Sequence, residues 1–432
     1  HRDLHSFPTR RSSDLDFGTS NTVITYGNGP EQRLLSVDCD AVMPSLMFFE
    51  RDRRLSIGNE AKADFSLALE RYKGSKDLYN HFRFFQALKL ALKDPAFKGS
   101  SIFGEHRSPE SLTGLFLREL KRKADAASGS VCDIAVLGRP VTLATGNEQA
   151  SQEKIILDRY RAACDFAGFR HVRFVSEPVA AAVGLAAKEG VSLVFDFGGG
   201  TLDIAITRTR GHSIDLLGSE GCDLGGYSLS EDISRARIIK HFGAEGKIRT
   251  MKGNYLDMPR WITDQVASFY SLPLSDIAAT RRTVKELIPD ARLADRPKLK
   301  ALLDFLDRNR AFQLFDAIDE AKIALSDNTE SHIDYAQEPY IRFHECIARD
   351  EFNNLVVPRV NAAKALVCKA LHSASLRPED IDYVIRVGGS SRVPAFAEML
   401  EGLFPGKVQE GRQFTSIAWG LLAAHEKGFS IS

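Results

Sequence analysis

Two stretches far apart in the chain follow one scheme. Asp16-Phe17-Gly18-Thr19-Ser20-Asn21-Thr22-Val23-Ile24 and Asp196-Phe197-Gly198-Gly199-Gly200-Thr201-Leu202-Asp203-Ile204 each run a carboxylate and a phenylalanine into a glycine turn, then resume at once as a strand. Equivalent acidic turns in two halves imply a duplicated fold with a site between the halves. The second copy holds more glycine than a turn requires. Three consecutive glycines beside Asp196 and Asp203 imply that the backbone approaches something closely, and that this something is anionic and metal-bound.

The residues after the glycines narrow the chemistry. A dinucleotide-binding loop ends a strand and opens a helix, so that the helix N-terminus meets the pyrophosphate. Leu202-Asp203-Ile204-Ala205-Ile206 alternates instead, which is a strand. A Walker loop needs Lys-Ser/Thr after its glycines, and Thr201-Leu202 offers no lysine. The pattern fits a strand-turn-strand phosphate clamp, in which bare backbone N–H groups converge on phosphate oxygens as an anion-binding nest. Thr19, Ser20 and Thr201 add hydroxyl donors. Asp16 and Asp196 are placed to hold Mg²⁺ through its retained waters, and Asp203 to orient metal or water. One such turn alone reads as an ordinary hairpin; two of them with Gly388-Gly389-Ser390 favour the clamp.

The rest of the chain alternates strands with helices, an α/β pattern. Strands are expected at 42–49, 55–57, 131–137, 172–175 and 383–387, and a largely helical stretch at 59–93. A helix starts at Ser151 and stops at Gly168. Glu177-Pro178 opens a helix of small residues, Ala180 to Ala187, whose short side chains let two helices approach closely. Leu224-Gly225-Gly226 leads into a helix with Ser230 as N-cap and Glu231 and Asp232 in its first turn. Residues 245–310 are charged and mostly helical. Helices follow at 312–325, after Pro394, and at 416–425.

A chain of 432 residues, 44% hydrophobic, can bury two or three domain-sized cores. Lys+Arg and Asp+Glu number 57 each, so no basic field gathers nucleic acid or anionic lipid. No apolar run spans a bilayer, and no apolar core of a secretory signal is present. Six scattered cysteines without a C-x-x-C pair read as reduced thiols of a cytoplasmic protein.

Residues 1–15, HRDLHSFPTRRSSDL, are polar, basic and non-periodic where an apolar strand ought to precede Asp16. They resemble a translated sequencing adaptor, and on that reading the native first strand is missing. His1-Arg2-Asp3-Leu4 with Asp16-Phe17-Gly18 also imitates protein-kinase motifs. The imitation fails, because Pro8 stands where the asparagine belongs and no glycine-rich loop precedes it.

The ordered set DFGTSNT, Glu177-Pro178-Val179-Ala180-Ala181-Ala182, FDFGGGTLD, DLGG, EAKIALS and VGGSSRVP resembles the ATPase domain of the seventy-kilodalton heat-shock chaperones, with YegD-like chaperones the nearest cast. The resemblance covers Asp16 to the C-terminus. It implies a two-lobed, actin-like (ribonuclease-H-like) ATPase fold with duplicated phosphate-binding hairpins. Lobe I would be 16–190 with 408–432, and lobe II 191–407 with a helical insert at 245–310. Asp16, Gly18, Thr19 and Ser20 match the first phosphate motif; Asp196, Gly198, Gly199, Gly200, Thr201 and Asp203 match the second. Glu177 matches the acid that positions metal-bound water, where the plainer reading is a charge at a helix start. Gly225 and Gly226 match a loop near the phosphates. Asp319, Lys322 and Ser326 match the nucleoside helix, the first two within reach of ribose hydroxyls; a solvated ion pair is the plainer reading. Gly388, Gly389, Ser390 and Arg392 match the adenine-side motif, with the Arg392 guanidinium stacked on the base.

Two departures stand out. The family's catalytic lysine precedes an apolar-glycine turn; Lys89 in Ala87-Leu88-Lys89-Leu90 matches best but lacks the glycine, and reads equally as a plain helix lysine. Near the C-terminus, Phe414 and Thr415 stand where the family often has an acid.

The resemblance implies an ATP hydrolase that binds ATP or ADP with Mg²⁺. Lys89, Glu177 and Asp203 would be catalytic, and hydrolysis would switch the angle between lobes. Too few residues follow His425 for the family's peptide-holding β-sandwich, so client binding would come from the 245–310 insert or another chain. Protein clients or cochaperones, not nucleic acid or membrane, are the expected partners. Two alternatives stay open: a small-molecule kinase on the same fold, and an actin-like filament protein.

Overall fold

The computed structural model of the chain describes residues 12–27, 33–36, 40–52, 55–73, 75, 78–141, 149–184, 188–211, 213–268, 277–308, 310–337, 339–411, 415–426 and 430–431. Two mixed sheets organise it. In the first, the order is Ser430–Ile431, His171–Ser176, Ile134–Arg139, Ser12–Phe17, Asn21–Gly27 and Arg33–Leu34, with Met43–Pro44 also on Asn21–Gly27. In the second it is Ser213–Cys222, Leu202–Arg210, Gly190–Phe197, Tyr383–Val387 and Val408–Glu410.

The two sheets repeat one arrangement. An antiparallel hairpin turns at the glycines, and its first strand runs parallel to a neighbour on the other side: Ser12–Phe17 against Ile134–Arg139, and Gly190–Phe197 against Tyr383–Val387. Asp16 pairs with Val23 across one hairpin, and Asp196 with Asp203 across the other. The sequence duplication is thus a structural duplication. It brings both acids to the same end of equivalent strands, where ligands bind in sheets of this kind.

Each sheet has its own apolar core. Phe17, Phe116 and Leu137 lie in the first; Phe195, Phe197, Phe242 and Phe315 in the second. A third cluster joins the halves. Val136 and Val175 from the first sheet and Val194, Ile385 and Val387 from the second close on Ala180, Ala181, Ala182, Ile417 and Leu421. These last residues belong to the helices Glu177–Gly184 and Ser416–Glu426, which pack against each other between the sheets. The expected close approach is realised at glycines. A Cβ on Gly184 would lie 2.0 Å from the Ser416 carbonyl oxygen, and one on Gly420 would lie 1.7 Å from that of Ala180.

Four expectations change. Ser12–Leu15 do form strand, central in the first sheet, with Leu15 fully buried. Strands buried on both faces usually read as apolar runs; the buried Ser13 and Asp14 depart from that, Asp14 accepting a hydrogen bond from the Thr25 hydroxyl at 3.2 Å. Residues 59–93 are not one helical stretch. The helix ends at Arg71, Phe82–Phe85 forms a strand on Met47–Glu50, and a short helix follows at Leu88–Lys93. Cross-strand pairing of the phenylalanines overrides local helical preference. Ser230 does not cap its helix, which spans Gly226–Ile233 behind Gly225; Ser230 sits inside it. Val408–Glu410, expected in the first lobe, pairs with the Tyr383–Val387 strand of the second sheet.

The 245–310 region holds a small hairpin, Lys247–Arg249 with Tyr255–Asp257, and the helices Arg260–Ala267, Ile277–Leu287 and Arg296–Asp307. Among the described residues no helix is long and apolar enough to cross a membrane. Five described cysteines are free thiols; Cys39 lies outside the described residues.

Candidate functional site

The two glycine turns meet. A Cβ on Gly199 would lie 2.0 Å from the Ser20 hydroxyl, and one on Gly200 2.6 Å from that of Thr19. The glycines are therefore required by the close approach of one turn to the other, not by either hairpin alone. Behind them, Gly225 leaves room for the Gly199 carbonyl, where a Cβ would fall 2.3 Å away. Gly388 takes φ +80° and passes Phe197, whose carbonyl oxygen a Cβ would meet at 2.3 Å. The Ser390 hydroxyl donates to the Gly198 carbonyl at 2.8 Å, tying the third glycine motif to the second turn.

A cleft of about 540 Å³ opens at this junction, within the usual size for a small-molecule site. Nearly every residue singled out from the sequence lines it. Asp16, Gly18, Thr19, Ser20 and Lys89 come from the first half, with Glu177 at its floor. Asp196, Gly198 to Thr201, Gly226, Asp319, Lys322, Ser326, Gly388 to Ser390 and Arg392 come from the second. Asp203 and Gly225 do not line the cleft but stand directly behind it: Asp203, 1% exposed, accepts a hydrogen bond from the Val141 N–H at 2.6 Å.

Lys89 is not a plain helix lysine. Ala87, at φ 52°, turns the chain into Leu88–Lys93 and caps it. Lys89, 3% exposed, donates through Nζ to Glu177 Oε1 at 2.5 Å. A non-glycine residue in left-handed conformation costs about 1–2 kcal/mol and is often found where a functional group must be delivered.

Electrostatics mark the same spot. Burial, then the Glu177 charge, pushes the Asp16 carboxyl up to about 8, with Lys89 pulling it down. Burial and Glu177 push Asp203 up to about 7, against the Val141 N–H and Thr201 hydrogen bonds that lower it. Asp196 is raised well above the carboxylate range by burial and by Glu177, Asp203 and Asp16. Burial pulls the Lys89 ammonium down, but Glu177, Tyr160 and Asp16 outweigh it and hold it above the ordinary lysine value. Glu177, Asp196 and Asp203, buried, and Asp16, half-buried, thus form a carboxylate cluster around Lys89. Hard oxygen donors in excess of positive charge suit Mg²⁺. Among the described residues no three His, Cys, Asp or Glu side chains converge closely enough to ligate an ion directly.

At the positions expected to meet the nucleoside, Asp319 and Lys322 are more than a solvated pair. Lys322 Nζ donates to Asp319 Oδ1 at 2.8 Å, to Ser230 Oγ at 2.8 Å and to the Gly226 carbonyl at 3.0 Å. Ser230 donates in turn to Asp319. The ammonium's three donors are engaged within the protein, so Asp319 is the freer of the two for a ribose hydroxyl. Arg392 keeps its guanidinium at the mouth, 3.7 Å from both Asp327 and Glu410. Thr415 is described; Phe414 lies outside the described residues.

Sequence reasoning missed the cleft's outer wall. Lys62 and Asp316 form an ion pair at 2.8 Å across its mouth. Phe312 packs with ring centroids 5.6 Å from Phe65 and 4.7 Å from Phe84. The only sequence signal for Asp316 was its helical phase, three residues before Asp319 on the nucleoside helix. Lys62 and Phe65 offered none.

Comparison with known proteins agrees with this geometry. The family model described as Hsp70 protein matches residues 14–256 and 291–413, leaving 257–290 outside the match. The chaperone protein DnaK of Thermosipho africanus is 24% identical over 402 residues, covering 90% of this chain and 54% of the relative. DnaK of Thermotoga maritima is 25% identical over 404 residues, with 90% and 54% covered. DnaK of Thermoplasma volcanium is 26% identical over 418 residues, with 92% and 55% covered. The chain spans about half the length of these relatives, and the match does not single out the YegD-like subtype. With two acidic glycine turns closing on one cleft and a family model that spans most of its length, this chain belongs to the Hsp70 protein family.

Proposed function

We propose that the chain is an Mg-ATP-binding, slowly hydrolysing ATPase switch of chaperone type. The observation that carries this reading is the meeting of two glycine turns, one from each half, over buried carboxylates and Lys89. The backbone of 18–20 and 198–201, with the Thr19, Ser20 and Thr201 hydroxyls, binds the phosphates. Lys89, one proton committed to Glu177, has two donors left for phosphate oxygens. Asp16 and Asp196 would hold Mg²⁺ through its waters, and the ion would supply neutralisation of phosphate charge. Glu177 or Asp16 orients the attacking water and accepts its proton, and Asp203, behind the cleft, acts on it only through these acids. Phosphoryl transfer asks little other covalent chemistry of a protein. Asp319 and Ser326 face the nucleoside, and Arg392 stacks on the base.

Product release and opening of the halves limit turnover, and hydrolysis sets the angle between them. Clients or cochaperones are engaged through the 245–310 region or another chain, in a cytoplasmic setting. Residues 1–15 are read as foreign to the native chain on their composition, against the strand that Ser12–Leu15 form and a family match that begins at residue 14; genomic sequence upstream of the Asp16 codon tests it.

Nucleotide binding and single-turnover hydrolysis test the function. The chain should bind fluorescent ATP only with Mg²⁺ and turn it over well below ~1 s⁻¹. Lys89→Ala should keep binding and lose turnover by roughly 10²-fold, and Asp196→Ala should lose the Mg²⁺ requirement together with affinity. ATP consumed only with a small-molecule acceptor would replace this reading with a kinase. The burial of Asp203 behind the cleft speaks against that. ATP-dependent light scattering would replace it with a filament protein.

A further inference from the structure

The short helix that carries Lys89 belongs to both halves. Its apolar residues are divided between them. Leu88, Ala91 and Leu92 lie in the core of the first sheet, whereas Leu90 and Ala87, which turns the chain into the helix, pack on the core of the second. Its lysines are divided in the same way. Lys89 donates to Glu177 Oε1 in the first half. Lys93, one helical turn later on the same side, donates to Asp223 Oδ1 in the second at 2.6 Å. The Lys93 side chain is 8% exposed and that of Asp223 60%. Asp223 stands immediately before Leu224-Gly225-Gly226. That loop is fastened to the second glycine turn: the Gly226 N–H donates to the Gly198 carbonyl at 3.0 Å, and the Tyr227 N–H to that of Gly199 at 2.9 Å. A continuous series of contacts thus runs from the helix of Lys89, through Lys93 and Asp223, to the backbone of 198–199. The first half grips the same end of the helix. Arg159 donates to the carbonyls of Leu92 at 3.2 Å, Asp94 at 2.7 Å and Phe97 at 3.4 Å, and pairs with Glu110 at 3.2 Å.

Six residues make too short a helix to stand by itself, so its position is set by what it packs on. Here it packs on two bodies, and their separation fixes where Lys89 is held. A mostly buried ammonium is costly to leave without its carboxylate, which makes Lys93–Asp223 a firm point of attachment. We propose that Leu88–Lys93 is a strut between the halves, and that Lys93 and Asp223 are positioning residues whose ion pair registers Lys89 against the second glycine turn. Neither lines the cleft, so they act through Lys89 rather than on a nucleotide. This inference rests on the ATPase reading for its effect on turnover, but not for its effect on Lys89 in the nucleotide-free chain.

Acetic anhydride labelling of lysines in the nucleotide-free chain, read residue by residue by mass spectrometry, tests the strut without any ligand. Asp223→Asn should raise the labelling rate of Lys89 roughly fivefold, the size expected for loss of one ion pair. Lys121, a buried lysine paired with Asp125 at 2.6 Å inside the first half, is the internal control and should label at the wild-type rate. Lys93→Met should act as Asp223→Asn does, and serves if that variant does not fold. Lys93→Glu alone, which sets two acids side by side, should label Lys89 fastest. Exchanging the charges, Lys93→Glu with Asp223→Lys, should bring Lys89 back near the wild-type rate. In single-turnover hydrolysis Asp223→Asn and Lys93→Met should lose roughly fivefold in rate, with nucleotide affinity near the wild type. Unchanged Lys89 labelling in both variants, an equal rise at Lys89 and Lys121, or no recovery in the exchanged pair would overturn the inference. A wild-type chain that binds nucleotide without hydrolysing it removes the ATPase reading alone, and the labelling then judges the strut by itself.

Discussion

At the residue scale, the pair Lys89–Glu177 decides how stable the candidate site is without a ligand. Both side chains are nearly fully buried and 2.5 Å apart. Removing one partner of a buried pair leaves an uncompensated charge, which typically costs about 3–5 kcal/mol. Glu177→Gln should therefore lower the melting temperature of the nucleotide-free chain clearly. Lys89 retains Asp16 nearby, so the loss should fall toward the low end of that range. Mg-nucleotide gives Lys89 new anionic partners and should recover most of the loss. Differential scanning fluorimetry with and without Mg-ADP measures both; an equal loss in both conditions would mean that Lys89 does not meet the phosphates. The sequence offered Lys89 only as a candidate with its expected glycine missing. Its delivery depends on Ala87 adopting a left-handed turn, which no residue type announces.

At the element scale, the two helices between the sheets are the tightest joint in the molecule. Glu177–Gly184 carries Glu177, the partner of Lys89, at its first position, and Ser416–Glu426 crosses it where Gly420 meets Ala180. There is no space for a methyl group at that crossing. Gly420→Ala should destabilise the chain by about 1–3 kcal/mol or more, through forced separation of the helices. Gly402, inside the Pro394–Leu403 helix, is the matched control: a Cβ there meets nothing within 4 Å. Gly402→Ala should be stabilising by about 0.5–1 kcal/mol, from reduced freedom of the unfolded chain. Urea titrations of the two variants should move in opposite directions. The small residues of the first helix were legible in the sequence as a close-packing surface. Their partner was not, because the crossing point depends on the chain's last helix returning to the first sheet.

At the scale of the whole molecule, besides the helix Leu88–Lys93, the described residues of the two halves touch at the glycine turns, at the helix joint below the cleft and at its mouth. The mouth contact consists of Lys62–Asp316 and the packing of Phe312 on Phe65 and Phe84. The helix Ala311–Asp327 thus carries the residues expected to face the nucleoside and also one side of the closure. A ligand held between two bodies leaves when they part, and weakening a contact acts mainly on the dissociation rate. Phe312→Ala should raise the release rate of fluorescent ADP roughly tenfold, which corresponds to about 1.4 kcal/mol of closing contact. Association should change little. Stopped-flow displacement measures both; an unchanged release rate would show that the mouth contact does not gate the cleft.

Residue order alone set the duplication, the strand after each glycine turn, and the identity of the glycines and acids that meet at the cleft's base, but not of its outer wall. These are local consequences of residue type and spacing: glycine admits close backbone approach, alternation makes a strand, and a repeated motif repeats its fold. Tertiary packing was needed to decide that the glycines make room for each other's turns, that Lys89 is paired with Glu177, and that Ser230 braces Lys322 and Asp319. Each of those contacts joins residues separated by long stretches of chain. Such proximity is set by how two sheets and their joining helices pack, and no local pattern of residues encodes it.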